Sequence, residues 1–210
     1  MAIYRMRLAC IDEAERPVFL TWRLQGSLPS RWGLPADARH SGLAFAATDR
    51  MLEQAHAGPA HFRQPAVADM MVQAIRYNAR VLGHYQLHSF VVMPNHVHLL
   101  ATPAVALRKL TDALQGVTAV RSQAMLALED GPFWQEDSYT RMVRYEAEFE
   151  EIRNFIEADP VRAGMVSEAS EYRWSSAAAD EIAPQGGAWR VTPIRSSGNL
   201  WTHAPARQGA

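Results

Sequence analysis

The stretch from His84 to Thr102, HYQLHSFVV followed by MPN and then HVHLLAT, decides how this chain folds. Apolar and β-branched side chains recur in it at every second position, the period of a half-buried strand, and Met93-Pro94-Asn95 breaks the pattern where a chain can reverse. The segment therefore reads as a β-hairpin. In its second arm His96 and His98 stand two apart, so both imidazoles leave one face of the strand while Val97 and Leu99 leave the other. Two histidines at neighbouring same-face positions can clamp one divalent ion, with a third ligand from a helix packed nearby. The same pattern also suits an ordinary polar sheet face.

Upstream, Arg16 to Leu24, RPVFLTWRL, is rich in aromatic and β-branched residues and is closed by Gln25-Gly26-Ser27, which predicts a first strand and a turn. Residues 43–58 read as a helix. Pro65 opens a stronger one, in which Val67, Met70, Met71, Ala74, Ile75 and Val81 recur at helical spacing, with Met70 and Met71 assigned to the core. Downstream of the hairpin, Leu107, Leu110, Leu114, Val117, Ala124 and Leu128 mark a long amphipathic helix. Its other face carries Arg108, Lys109, Asp112, Gln115 and Arg121 and could either track a phosphate backbone or be simply solvated. Gly131-Pro132 ends that unit, and Phe133-Trp134-Gln135 begins a loop containing Tyr139, Arg141, Arg144 and Tyr145. A further helix is predicted from about Glu146 to Ala158, stopped by Pro160, which disfavours helical geometry at Asp159. After Asp180 the chain turns rich in Pro, Gly and Ser, so residues 1–180 are taken as one domain and 181–210 as a C-terminal tail. The order of strand, helices, hairpin, helix, helix argues for an α+β domain with an antiparallel sheet backed by helices on one face.

Composition sets outer limits. With 210 residues and 48% apolar content the chain can bury one sizeable core, and it has no apolar run of the length that spans a bilayer. Its N-terminus, MAIYRMRLACIDEAER, has acids where a signal peptide has an apolar stretch, so a cytoplasmic protein without membrane contact is expected. Cys10 is the only cysteine, which excludes an intrachain disulfide and a thiolate metal cluster and leaves nitrogen and oxygen as metal ligands. The net charge of −1 is low for a nucleic-acid binder, but all basic residues except Lys109 are arginines, the side chain suited to bidentate phosphate contacts. Charge alone neither supports nor excludes DNA.

FVVMPNHVHLL resembles the histidine-hydrophobic-histidine (HUH) motif of the REP-associated tyrosine transposases, within the HUH single-tyrosine transposase superfamily. VFLTWRLQGSLP at 18–29, GPFWQEDSY at 131–139, and FIEADPVRAGMV at 155–166 followed by EYRWSSA at 171–177 are similar to other landmarks of that family, in the same order. The resemblance implies a ferredoxin-like core with the HUH motif on a central strand of the sheet. It also implies a metal-dependent mechanism, in which the histidine pair and a polar helix residue hold magnesium or manganese and a helix-borne tyrosine attacks the scissile phosphate to leave a 5′-phosphotyrosine. The implied substrate is single-stranded DNA beside an imperfect palindromic hairpin. Relatives of this kind are monomers or dimers.

The chain departs from the family pattern at two positions. The family reads Tyr-Ile-x-x-Asn-Pro-Val-Arg-Ala-Gly where this chain has Phe155-Ile156-Glu157-Ala158-Asp159-Pro160-Val161-Arg162-Ala163-Gly164. The nucleophile position is thus Phe155, which has a ring but no oxygen and cannot form a phosphoester. Asp159, one helical turn on, is implied as the metal ligand beside His96 and His98, and a hard divalent ion accepts a carboxylate. Asp159 also suits an N-cap before Pro160. Arg108, Lys109, Arg121, Arg141 and Arg144 are the expected DNA contacts. Three functions fit these residues: a transposase-like nuclease in an inactive or trapped form, a DNA-binding module on repeated palindromes that has lost catalysis, and a hydrolase in which a metal-activated water replaces the tyrosine.

Overall fold

The computed structural model describes residues 16–28, 42–54, 58–129, 131–136 and 138–178. The tail 181–210 and the boundary before it lie outside the described residues. Strands β1 (Val18–Arg23), β2 (Tyr85–Val92), β3 (His96–Pro103) and β4 (Tyr139–Met142) form one antiparallel sheet in the order β2-β3-β1-β4. Helices α1 (Gly42–Glu53) and α2 (Pro65–Arg80) fall between β1 and β2, α3 (Leu107–Leu126) between β3 and β4, and α4 (Glu146–Arg162) after β4. This is the β-α-β-β-α-β pattern of an α+β, ferredoxin-like sheet. The histidine strand β3 lies between β2 and β1, so its backbone is paired on both sides.

Alternation along the strands sorts the core into two layers. Val18, Leu20 and Trp22 of β1, Phe90 and Val92 of β2, and Val97, Leu99 and Ala101 of β3 pack with α2 and α3. Phe19, Val91 and Leu100 leave the opposite face and pack with Phe45 of α1 and with Phe149, Ile152 and Ile156 of α4. Helices therefore cover both faces, not the one expected. The sheet carries apolar residues on both sides of β1 and β3, and a single helical layer would leave one side wet. A bulge between Leu87 and Ser89 resets the alternation of β2, so that Tyr85 before it and Phe90 after it reach the same layer.

Two of the motif stretches are structural. Phe133 and Trp134 of GPFWQEDSY enter the α2–α3 layer, where Trp134 Nε1 donates to Thr118 Oγ1 at 3.2 Å. Residues 174–176 of EYRWSSA pair with the outer edge of β2, through Val92 N to Trp174 O and Ser176 N to Phe90 O, and cap that edge against further pairing.

Three sequence expectations are corrected. β4 lies in the stretch read as a loop, because four half-buried residues offer too short an alternation to recognise. Helix α4 runs through Pro160 to Arg162, since a proline in the last turn removes one backbone bond near an end where the ladder is already incomplete. On α3 the buried stripe passes through Leu107, Leu110, Leu114, Thr118 and Ser122, while Val117 is 49% exposed, and Val81, past the end of α2, is 64% exposed. Those two residues line a groove of about 490 Å³ between α2 and α3 with Tyr77 and Leu82.

Candidate metal centre

His96 and His98 are both fully buried, their ring centroids 4.7 Å apart on the face of β3 that looks toward α1 and α4. Each has its Nδ1 engaged from behind. Asn95 Nδ2 donates to the carbonyl of Leu52 at 3.0 Å, which fixes the amide so that its Oδ1 faces His96 Nδ1 at 2.7 Å. His96 Nδ1–H therefore donates to Asn95, and Nε2 is turned toward α1 and α4. Thr21 of β1, directly opposite His98 in the sheet, places its Oγ1 2.7 Å from His98 Nδ1. Such outer partners set the orientation of metal-ligating histidines.

Both Nε2 atoms face carboxylates from two helices. Asp159 Oδ2 of α4 lies 3.2 Å from His96 Nε2 and 3.5 Å from His98 Nε2. Asp49 Oδ1 of α1 lies 3.0 Å from His98 Nε2 and 3.7 Å from His96 Nε2. Asp49 and Asp159 are as buried as the histidines. Although His98 Nε2 and Asp49 Oδ1 are only 3.0 Å apart, neither makes a hydrogen bond among the described residues. The contact is one of charge without hydrogen-bond alignment, and it leaves a buried nitrogen and a buried oxygen converging on shared space.

That arrangement fits a divalent cation. Asp49, His96 and His98 form one set of donor atoms within 4.8 Å of one another. Two donors about 2.1 Å from one ion and at right angles to each other stand about 3.0 Å apart, the scale of the separations here. The structure brings His96, His98 and Asp159 together, and Asp159 lies inside α4 with its side chain reaching His96 and Arg162, so it is no N-cap. Asp49, Glu53 and Arg162 join them without having been singled out. The available signal was a carboxylate at 49 interrupting the apolar stripe of Phe45 and Leu52.

Arg162 spans the carboxylates. Its Nη2 lies 2.9 Å from Asp159 Oδ1 and 3.7 Å from Asp49 Oδ2, and its Nε lies 2.9 Å from Glu53 Oε1. Burial alone would raise the Asp159 carboxyl, but the His96 hydrogen bond and the charges of His96, His98 and Arg162 hold it down to about 2. Burial and a hydrogen bond with Asp159 push Glu53 up to about 7, against the pull of Arg162. His96 is lowered by burial, yet the hydrogen bond and charge of Asp159 and the charges of Asp49 and Glu53 outweigh this and leave it raised.

Phe155 completes the site wall. Its ring centroid is 5.7 Å from that of His98 and 6.1 Å from that of Phe19, and the Arg162 guanidinium lies 4.1 Å above it. Tyr139 sits opposite Thr21 on the same face of the sheet, its ring tilted against that of Phe45 with centroids 4.3 Å apart. Tyr172 is tied down, its hydroxyl donating to the carbonyl of Val92.

Several solved structures resemble this chain, two of them as follows. A REP-associated tyrosine transposase bound to a REP hairpin is 15% identical over 95% of this chain and 98% of its own, with a TM-score of 0.48. A protein assigned as a transposase in Deinococcus radiodurans is 23% identical over 68% of this chain and 89% of its own, with a TM-score of 0.38. No family profile matches the chain, and no curated protein does so.

The expected DNA contacts are scattered relative to the site. Arg108, Lys109 and Arg121 are exposed on α3, whose packing residues belong to the layer on the other face of the sheet from His96 and His98. Arg141 and Arg144 instead hold Glu148, which is fully buried: Arg141 Nη2 lies 2.7 Å from its Oε1, and the Arg144 backbone N–H donates to Oε2 at 2.7 Å. Among the described residues no helix is long and apolar enough to cross a membrane.

Proposed function

We propose that this chain is a transposase-like protein that binds single-stranded DNA beside an imperfect palindromic hairpin, holds magnesium or manganese on His96, His98, Asp49 and Asp159, and does not itself cut the strand. One observation carries the reading. The ring of residue 155 adjoins His98 while Asp159, one turn further along α4, faces His96, the juxtaposition that the HUH resemblance implies for nucleophile and metal ligand. A bound divalent ion would polarise a phosphate oxygen and stabilise its developing charge. Asp49 and Asp159 would hold it, Asn95 and Thr21 would fix the imidazoles, and Phe155 would offer a ring for packing where a phenol would attack. With no oxygen at that position, binding is retained and phosphoester formation is not.

A second reading, a module that has lost catalysis and acts on repeated palindromes, is favoured by Phe155 and differs in what restoring a tyrosine achieves. The binding function common to both is tested by titrating labelled hairpin DNA with a single-stranded flank against a blunt duplex of equal length. Tighter binding of the hairpin, weakening as salt rises, supports the proposal. Equal affinity for the two at physiological salt leaves a generic polyanion binder and sinks it.

A further inference from the structure

Asp49 and Asp159 each face two ways. One oxygen of each carboxylate is turned to the imidazoles, Asp49 Oδ1 to His98 and Asp159 Oδ2 to His96. The other oxygen of each is turned to the Arg162 guanidinium, where Glu53 Oε1 joins them. Carboxylates divided in this way bridge the ions of two-metal sites, which stand about 3.5–4 Å apart. Asp49, Glu53 and Asp159 by themselves have the spacing of a cation's ligand set. A guanidinium lies there.

We infer that Arg162 fills the second cation position of this centre, as a tethered charge that balances the three carboxylates and restricts the chain to one divalent ion. The inference rests on the metal reading of the histidine pair given above. Three carboxylates gathered at a mostly buried site repel one another unless a cation lies between them. The guanidinium does this with a rigid fork, sending Nε to Glu53, Nη2 to Asp159 and Nη1 to the carbonyl of Phe155 at 2.7 Å, while its plane lies over the Phe155 ring. Swinging out would break all of these contacts together. An ion could exchange with solvent, whereas this charge cannot leave the chain, so Arg162 acts as a positioning residue for the two aspartates.

Manganese titration of the full chain, followed by the loss of the free-ion electron paramagnetic resonance signal, tests the inference. The parent should take up one ion and Arg162→Ala two, with a spin-coupled spectrum from neighbouring ions in the variant only. Guanidinium chloride at a non-denaturing concentration should displace the second ion from Arg162→Ala and leave the first, and Arg162→Lys should remain at one. Should Arg162→Ala fail to fold, Arg162→Gln is judged by the same criteria. A folded variant that takes up one ion overturns the inference while leaving the metal reading intact, and so does a parent that takes up two. A parent that takes up none sinks the metal reading and the inference with it.

Discussion

His98 Nε2 and Asp49 Oδ1 lie 3.0 Å apart, one on the central strand and one on the first helix, both buried and neither hydrogen-bonded among the described residues. A buried polar atom without a partner is costly, and two that converge are satisfied together by one cation. Manganese should therefore raise the melting temperature of the chain. Asp49→Asn should weaken manganese binding by roughly tenfold or more, the scale on which loss of metal-site partners is felt. His96→Ala with His98→Ala should abolish the thermal protection entirely. If the double variant binds manganese as well as the parent, as read by calorimetry, the centre is assigned to the wrong residues.

The pH dependence of stability should differ with and without metal. His96 and Glu53 are both raised in the folded chain, so it holds more protons than the unfolded one, and their stabilising contribution, full at low pH, is lost as pH rises. For Glu53 the loss runs from its ordinary 4.5 to about 7, and for His96 it begins above 6.5. Asp159, held down to about 2, acts oppositely, and its contribution is lost only as pH falls below its ordinary 3.8. His88, lowered by burial to about 4, acts against Glu53 up to its ordinary 6.5. Without divalent ions the melting temperature should thus fall only as pH rises above about 6.5, and saturating manganese should flatten or invert that slope because ligation needs unprotonated imidazoles. A metal-free melting temperature that climbs steadily above that pH contradicts this account of the centre.

Phe155→Tyr should leave fold and DNA affinity almost unchanged, since the ring keeps its neighbours Phe19, Phe45 and His98 and gains only a hydroxyl. Labelled hairpin DNA incubated with manganese and run on a denaturing gel should then show a protein adduct at a 5′ end, formed by the variant alone. An adduct with the parent would point to Tyr139, which faces the same side of the sheet. A free 5′-phosphate without adduct would implicate a metal-activated water. Tight binding with no cleavage by either form would replace the transposase reading with the binding module.

The arginines expected to meet DNA should separate into two kinds. Glu148→Ala strips Arg141 and Arg144 of a fully buried partner and should cost about 1–3 kcal/mol in urea unfolding, because the arginines retain some access to water. Arg141→Ala should likewise lose stability, whatever it does to DNA binding. Arg108→Ala with Lys109→Ala, on the exposed face of α3, should change stability by less than about 0.5 kcal/mol. If that double variant also lowers the salt dependence of hairpin binding, the DNA reaches the helical face away from the metal centre. An unchanged salt slope would confine the DNA to the site face.

The amino-acid sequence by itself determined the local geometry. Period-two alternation placed β2 and β3, aromatic and β-branched content before a turn placed β1, Pro65 placed the start of α2, and the two-residue step from His96 to His98 put both imidazoles on one face of one strand. The four-residue step from position 155 to 159 did the same on α4. These follow from backbone repeats, which fix where a side chain points within its own element. Only the tertiary structure decided what each face meets. It brought Asp49 and Glu53 from α1 and Arg162 from the extended end of α4 onto the histidine pair, turned α3 and its basic residues to the other side of the sheet, and gave Arg141 and Arg144 to Glu148. A repeat in sequence carries no information about which distant element packs against it, because that choice is made by the summed burial of both layers of the core.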